Sequence, residues 1–153
     1  MNVSKEITDY WNRFQKEKGI KSHFVNAWPF GDHPELADEL LELVSAGKKT
    51  GTATLLIELE KEGDKMPEVG DYNIILNGKG KPSAIIKTTS VEIKPFNQVE
   101  EEYAYSEGED DRTLESWKRE HWKYWTRKGQ KLGFKMKENL QVICENFELV
   151  YPR

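Results

Sequence analysis

Gly47-Lys48-Lys49-Thr50-Gly51-Thr52-Ala53-Thr54-Leu55-Leu56-Ile57 is where the chain changes character. Upstream, Leu36, Leu40, Leu43 and Val44 recur at helical spacing behind Pro34, which suits a first helical turn. Asp32 or His33 precedes the run and Gly47 closes it, so the spacing predicts a helix over about 34–46. From Thr50 to Ile57 β-formers crowd together with poor alternation, as in a strand that is covered on both sides or curls into a barrel. By composition alone the junction is ordinary. Lys48 and Lys49 complement the negative end of the helix, and three threonines are common strand residues.

Reading outward, Ser4 can cap a helix over about 4–18 with Ile7, Trp11 and Phe14 on one face, and Gly19 ends it. Ala27-Trp28-Pro29-Phe30-Gly31-Asp32 reads as a turn-rich connector with aromatic anchors. Downstream, a loop over 67–71 leads to a strand over 72–76, and Asn77-Gly78-Lys79-Gly80 is a strong hairpin signal before a long return strand over 83–93. A short helix is expected at 97–105, with Val99, Tyr103 and Ala104. A longer one is expected at 113–127, with Leu114, Trp117, His121, Tyr124 and Trp125 on one side, and a last strand at 140–150. The strands are too few and too unevenly spaced for repeated βαβ units. The expected fold is α+β: a small mixed or antiparallel β-barrel with helices covering its ends, one domain over 1–153, and the helix at 4–18 an added element.

The chain has 153 residues, of which 33% are charged and 37% apolar, with a mean hydropathy of -0.79. A chain of this length buries roughly 68–70% of its extended surface, enough for a core without metal or disulfide staples. Five Trp, six Tyr and six Phe exclude a disordered or collagen-like class. No apolar run approaches the roughly 20 residues of a membrane helix, and no basic start precedes an apolar block as in a secretion signal. No membrane partner is expected. The single Cys144 excludes an internal disulfide and fits a reducing cytoplasm, the expected location. The net charge of -4 argues against a globally basic nucleic-acid binder. The charge is segregated, however: acid gathers over 100–115, and Lys118, Arg119, Lys123, Arg127, Lys128, Lys131, Lys135 and Lys137 follow.

Phosphate-binding glycine loops, G-x-S-x-G and H-E-x-x-H are all missing. His23, His33 and His121 fall in different expected elements, so no metal ligand set is assigned and no cofactor is expected. The acidic stretch Glu107-Gly108-Glu109-Asp110-Asp111 suits the positive end of the following helix. Its carboxylates are also the one place where a divalent cation is conceivable, although their spacing matches no calcium loop.

Ala46-Gly47-Lys48-Lys49-Thr50 running into Gly51-Thr52-Ala53-Thr54-Leu55 resembles the signature of the ASCH domain family. Further blocks share the resemblance: Trp28 to Asp32, Val69-Gly70-Asp71-Tyr72, Pro95-Phe96 with Val99, Tyr103 to Glu109, and Val142 to Phe147. It spans about residues 10–151 and points to the larger bacterial subgroup. The resemblance implies a PUA-like barrel with a cleft beside it, in a family thought to bind RNA or nucleosides. A smaller relative hydrolyses the amide of N4-acetylcytidine and another is a ribonuclease. Position by position, the amidohydrolase's proton-accepting lysine falls on Lys49, its threonine nucleophile on Thr52 and its proton-donating glutamate on Glu107.

That trio is chemically coherent. A threonine hydroxyl needs a neighbouring base, and a lysine amine serves only when burial or a second cation such as Lys48 weakens its hold on a proton. In an extended segment Lys49 and Thr52 face opposite ways, so a turn or bulge at Thr50-Gly51 is expected to bring both into one cleft. Glu107 is expected to donate a proton from a partly closed pocket. Two departures stand out: Ala53-Thr54-Leu55-Leu56 replaces the segment where the amidohydrolase has an arginine, and the helices at 4–18 and 113–127 are additions. Lys48, Thr50 and Trp28 are taken as ligand-binding candidates near the cleft. Trp122, Lys118, Arg119 and Lys123 are candidates on the basic-aromatic helix, where aromatics can stack on bases and cations can follow phosphates of single-stranded RNA. Trp117, His121 and Trp125, at i, i+4 and i+8, read as residues packing onto the barrel. The expected partner is thus RNA or a nucleoside or nucleotide. The expected role is binding or hydrolysis: an amidohydrolase on acylated cytidine, or a ribonuclease.

Overall fold

Ile74 and Ile75 are adjacent on strand β3 (Tyr72–Leu76), and Ile85 and Ile86 are adjacent on β4 (Pro82–Pro95); all four are fully buried. Neighbours on a strand point to opposite faces, so this part of the sheet is covered on both sides. Ile74 and Ile85 pack with Tyr10, Trp11 and Phe14 of helix α1 (Lys5–Lys18) and with Tyr151. Ile75, Ile86 and Ala84 pack on the other face with Leu40 and Val44 of α2 (Pro34–Ser45), Phe30 and Phe147. A third apolar cluster joins Leu55, Val142 and Cys144 to Phe96, Ala104, Trp117 and Trp125.

The computed structural model describes residues 4–152. The strand order is β1-β3-β4-β5-β2, with β1 (Phe24–Pro29) parallel to β3 and the other pairs antiparallel. The start of β4 pairs with β3, and nearly its whole length pairs with β5 (Gln141–Tyr151). A register shift between Thr88 and Ser90 supplies the bulge that increases local twist. The first half of β5 then pairs with β2 (Gly51–Leu55). The result is a curled five-stranded half-barrel with five α-helices among the described residues, in the α+β class expected from the sequence.

Local chemistry accounts for the elements and for the departures from expectation. Ser4 Oγ accepts from Ile7 N at 3.2 Å and opens α1 as read. Of the two candidates, His33 is the residue that caps α2, through Nδ1. The stretch over 24–29 is a parallel edge strand, where a turn-rich connector was expected over 27–32. Pro29 is tolerated because it ends the strand at the sheet edge. β2 stops at Leu55, because the Glu58 carboxylate accepts the Leu55 N–H at 3.2 Å and starts α3 (Leu56–Glu62) where the strand was expected to run on to Ile57. The helix expected at 97–105 is a 3-10 turn (Phe96–Gln98) followed by α4 (Glu101–Glu107). Thr113 caps α5 (Leu114–Leu132), which outlasts the expected 127 and ends at the left-handed Gly133, whose N–H donates to Gly129 O.

Helix α1 contributes Tyr10, Trp11 and Phe14 to one core cluster, so it should unfold with the rest. Phe14→Ala should lower the unfolding free energy by about 3–5 kcal/mol, read by urea denaturation. A loss below about 1 kcal/mol would show that α1 stands outside the cooperative unit.

Candidate functional site

The C-terminus of α2 does not stop cleanly. Gly47 adopts φ +77, and the N–H groups of Lys48 and Lys49 both donate to Leu43 O, at 2.9 and 3.1 Å. This wrap turns Lys49 inward until it is 2% exposed, while Lys48 stays at the surface. The end of α4 lies against the same segment. Thr50 N donates to Ser106 O at 2.7 Å, Thr50 Oγ1 donates to the same oxygen at 3.2 Å, and Asn146 Nδ2 donates to Thr50 O at 2.9 Å. Gly108, at φ +69, permits the approach: a Cβ there would lie 2.2 Å from the Lys48 carbonyl oxygen. Arg112 ties the far side. Its guanidinium stacks 3.6 Å from the Tyr105 ring centre, with Nε donating to Tyr105 O and Nη2 to Lys48 O.

Gly51 plays a different part from the one expected. It sits in the β2–β5 ladder opposite Asn146, outside the left-handed region, and a Cβ would come within 2.9 Å of Ser106 Oγ. The reorientation that aims Lys49 inward happens before the strand, in the wrap after α2. Lys49 and Thr52 both line the resulting cleft.

Inside, Lys49 Nζ donates to Glu109 Oε2 at 2.7 Å, to Gly51 O at 2.8 Å and to Glu107 O at 3.3 Å; Glu107 Oε1 lies 3.8 Å away. The ammonium also stands over the Phe30 ring, 5.3 Å from its centre. Glu107 is 1% exposed. Its Oε2 accepts from Trp117 Nε1 at 2.8 Å, and its Oε1 lies 3.2 Å from His121 Nε2. His121 Nδ1 lies 2.8 Å from Trp117 O, and the imidazole stacks on the Trp117 ring at 4.2 Å. Both ring nitrogens therefore face oxygens, and beside a Glu107 carboxylate the doubly protonated ring satisfies both contacts.

The electrostatics agree with the geometry. Burial alone pushes the Glu107 carboxyl up, but the charges of His121 and Lys49 and the bonds from His121 and Trp117 outweigh it and hold the group at about 2. Burial pushes His121 down, yet the Glu107 carboxylate, helped by Glu109 and the Trp117 carbonyl, raises it above its ordinary value. The partners of Glu107 thus favour its carboxylate form.

These groups border a cleft of about 940 Å³ between the half-barrel edge, α2, α4 and α5. Lys48, Lys49, Thr52, Glu107 and Arg119 line it. Thr50, Trp28, Lys118, Trp122 and Lys123 are not among its lining residues. Thr50 is engaged with Ser106, Trp28 donates through Nε1 to Asn73 Oδ1 at 3.0 Å, and Trp122 packs edge-on against Phe96 at the surface. The acidic loop is spoken for: Glu109 meets Lys49, Asp110 meets Ser116 and Arg119, and Asp111 meets Thr113. Among the described residues, no cluster of three or more His, Cys, Asp or Glu side chains is arranged to hold a metal ion. Sequence reasoning missed the charged role of His121 and the pairing of Glu109 with Lys49. The spacing of His121 from Trp117 revealed their shared face, but nothing in it revealed that Glu107 lies opposite.

A curled mixed sheet with helices between its strands defines the PUA-like architecture. The chain belongs to the ASCH domain family, whose profile matches residues 26–151, so α1 precedes the matched segment. It is similar in structure to a protein from Enterococcus faecalis V583, at 33% identity over 95% of this chain and 88% of that one, with a TM-score of 0.88. It is likewise similar to an ASCH domain from Lactobacillus crispatus JV V101, at 26% identity over 99% and 98%, with a TM-score of 0.90. No curated protein matches the chain. No helix among the described residues is long and apolar enough to cross a membrane.

Two outcomes follow. Gly108→Ala needs a strained φ and collides with backbone, so it should cost several kcal/mol or prevent folding; an unchanged melting temperature would refute the close approach. His121, raised on folding, contributes stability fully below 6.5 and loses it as pH rises through its folded value. Glu107, lowered on folding, contributes above 4.5 and loses it as pH falls through about 2. The stability advantage of the wild type over His121→Gln should therefore be largest between pH 4.5 and 6.5 and shrink above it, measured by urea unfolding across pH.

Proposed function

We propose that the cleft binds a neutral nucleoside in preference to an extended RNA strand. The observation that carries this reading is the charge of the lining. Carboxylates of Glu39, Glu42, Glu107, Glu109, Asp110 and Glu120 outnumber the fixed cations Lys48, Lys49, Arg119 and Arg127. Strand binding gains affinity from cations that displace counterions from phosphates, and this lining has no surplus of cations even when His121 is counted as charged. A nucleoside brings a flat ring and a hydrogen-bonding edge without that charge. Phe30, Trp117 and Tyr124 offer ring surfaces, and Lys49 and Glu107 offer a donor and an acceptor side by side. Trp122, Lys118 and Lys123 lie outside this lining.

Calorimetric titration separates the two ligands. Cytidine should bind with an affinity nearly independent of salt, and a single-stranded oligoribonucleotide should bind more weakly. Tighter oligonucleotide binding that collapses between 50 and 200 mM salt, and is weakened by Lys118→Ala with Lys123→Ala, would overturn the reading.

A second reading is hydrolysis of an acyl amide on the base, as in N4-acetylcytidine. The observation favouring it is that Thr52 opens onto the same cleft as Lys49 and Glu107. Thr52 Oγ would attack the acyl carbon as its proton passes to Lys49, and water would later release the acid. Lys49 engages three acceptors as an ammonium, so it serves as base only after passing one proton to the Glu109 carboxylate, its partner nearest solvent, which leaves a lone pair for the Thr52 proton. Thr52→Ala and Lys49→Ala should each cut the release of cytidine from N4-acetylcytidine by roughly 10²-fold or more. Undiminished release by both variants would reject the assignment.

A further inference from the structure

We infer that His121 is the proton donor of the cleft and that Glu107 is the carboxylate that keeps it charged; the assignment rests on the amide-hydrolysis reading. Four observations carry it. His121 lines the cleft itself and keeps 16% of its side chain exposed, against 2% for Glu107. Both of its nitrogens face oxygens, Trp117 O and Glu107 Oε1, so beside an ionised Glu107 the ring carries two protons. The Trp117 ring stacks beneath it and Trp125 lies 5.0 Å away, which fixes the plane of the imidazole. Finally, the Nε2 to Oε1 separation of 3.2 Å is long for a charge-assisted bond, whose usual range is about 2.7–2.9 Å. A ligand atom beside Glu107 Oε1 and in the plane of the ring can therefore share that proton without the imidazole moving.

Glu107 is poorly placed to donate. It holds no proton in the resting site, and its two oxygens are occupied by Trp117 Nε1 on one side and by His121 with Lys49 on the other. The charged groups facing His121 are Glu107 at the end of α4, Glu109 on the following loop and Lys49 before β2; Arg119 and Glu120 flank it on α5. In the donating step the Nε2–H bond breaks as the carbon–nitrogen bond of the amide breaks, and the proton joins the departing nitrogen. The imidazole is left neutral, with Nδ1–H still on Trp117 O and its bare Nε2 facing a carboxylate. That opposition favours prompt recovery of a proton from water.

The test combines a substrate-free and a substrate-dependent readout. In the free protein the imidazole resonances, assigned by comparison with His121→Gln, should titrate above 6.5 in the wild type and move to lower pH in Glu107→Gln. With N4-acetylcytidine, kcat should fall as pH rises through that same titration. His121→Gln should lose this limb and roughly 10²-fold in kcat, with KM little changed. A neutral His121 at pH 6, or a limb that persists in His121→Gln, would overturn the assignment. Should either variant fail to fold, the wild type decides alone: coincidence of the rate limb with the imidazole titration supports the role, and their separation overturns it. No cytidine from the wild type at any pH defeats the hydrolytic reading itself, and the donor role falls with it even where the imidazole titrates as stated.

Discussion

A charged amine held at 2% exposure constrains everything around it. Taking an ammonium out of water is costly, and the cost is offset only when fixed acceptors meet it with good geometry. Lys49 finds those acceptors on three separate segments: the start of β2, the last residue of α4 and the loop after it. The last two adjoin in the chain, and the sheet brings them to β2. The bulged β4 and the long β5 curl the sheet so that β2 meets α4, and Gly108 and Gly51 remove the side chains that would hold them apart. The cleft is what remains beside that junction.

Much of this was legible in the residues because local chemistry dictated it. Helix α2 is announced by Pro34, its apolar stripe and Gly47, and the β3–β4 hairpin by Asn77-Gly78. The strand over 24–29 was not legible, since Asn26 and Pro29 interrupt its apolar residues and its pairing with β3 is parallel and distant in sequence. Nor was α3, whose first turn depends on Glu58 reaching back to Leu55 N–H while also receiving Trp125 Nε1. The same limit applied at the site. Lys49, Thr52 and Glu107 were picked out by family resemblance, but the charge on His121 arises from an α4–α5 contact with Glu107 that no periodicity encodes.

The segregated charge of the sequence takes on meaning in three dimensions. On α5, Arg119 closes on Asp110 of the acidic stretch, while Lys123 meets Glu120, Arg127 meets Asp32 and Lys128 meets Glu58 and Glu62. Charges that look like separate patches along the chain largely neutralise one another at the rim. The strongly paired interior, with Lys49 against Glu109 and His121 against Glu107, leaves little net field for a polyanion. The aromatic-basic surface of α5 that faces away from the cleft is a different environment, with Trp122 37% exposed.

Glu58 shows why partners, rather than burial, set the chemistry of the site. It is 5% exposed and Glu107 is 1% exposed, and each accepts from a tryptophan indole of α5. Yet Glu58 lies above its ordinary value and Glu107 far below it. At Glu58, burial outweighs the Leu55 N–H bond and the single cation Lys128, 3.4 Å away, while Glu62 works against that cation. At Glu107 an imidazolium and an ammonium act together on one oxygen. One carboxyl fastens α3 to α5. The other, nearly identical in its surroundings but for a second cation, becomes a fixed negative charge able to hold a proton on its neighbour.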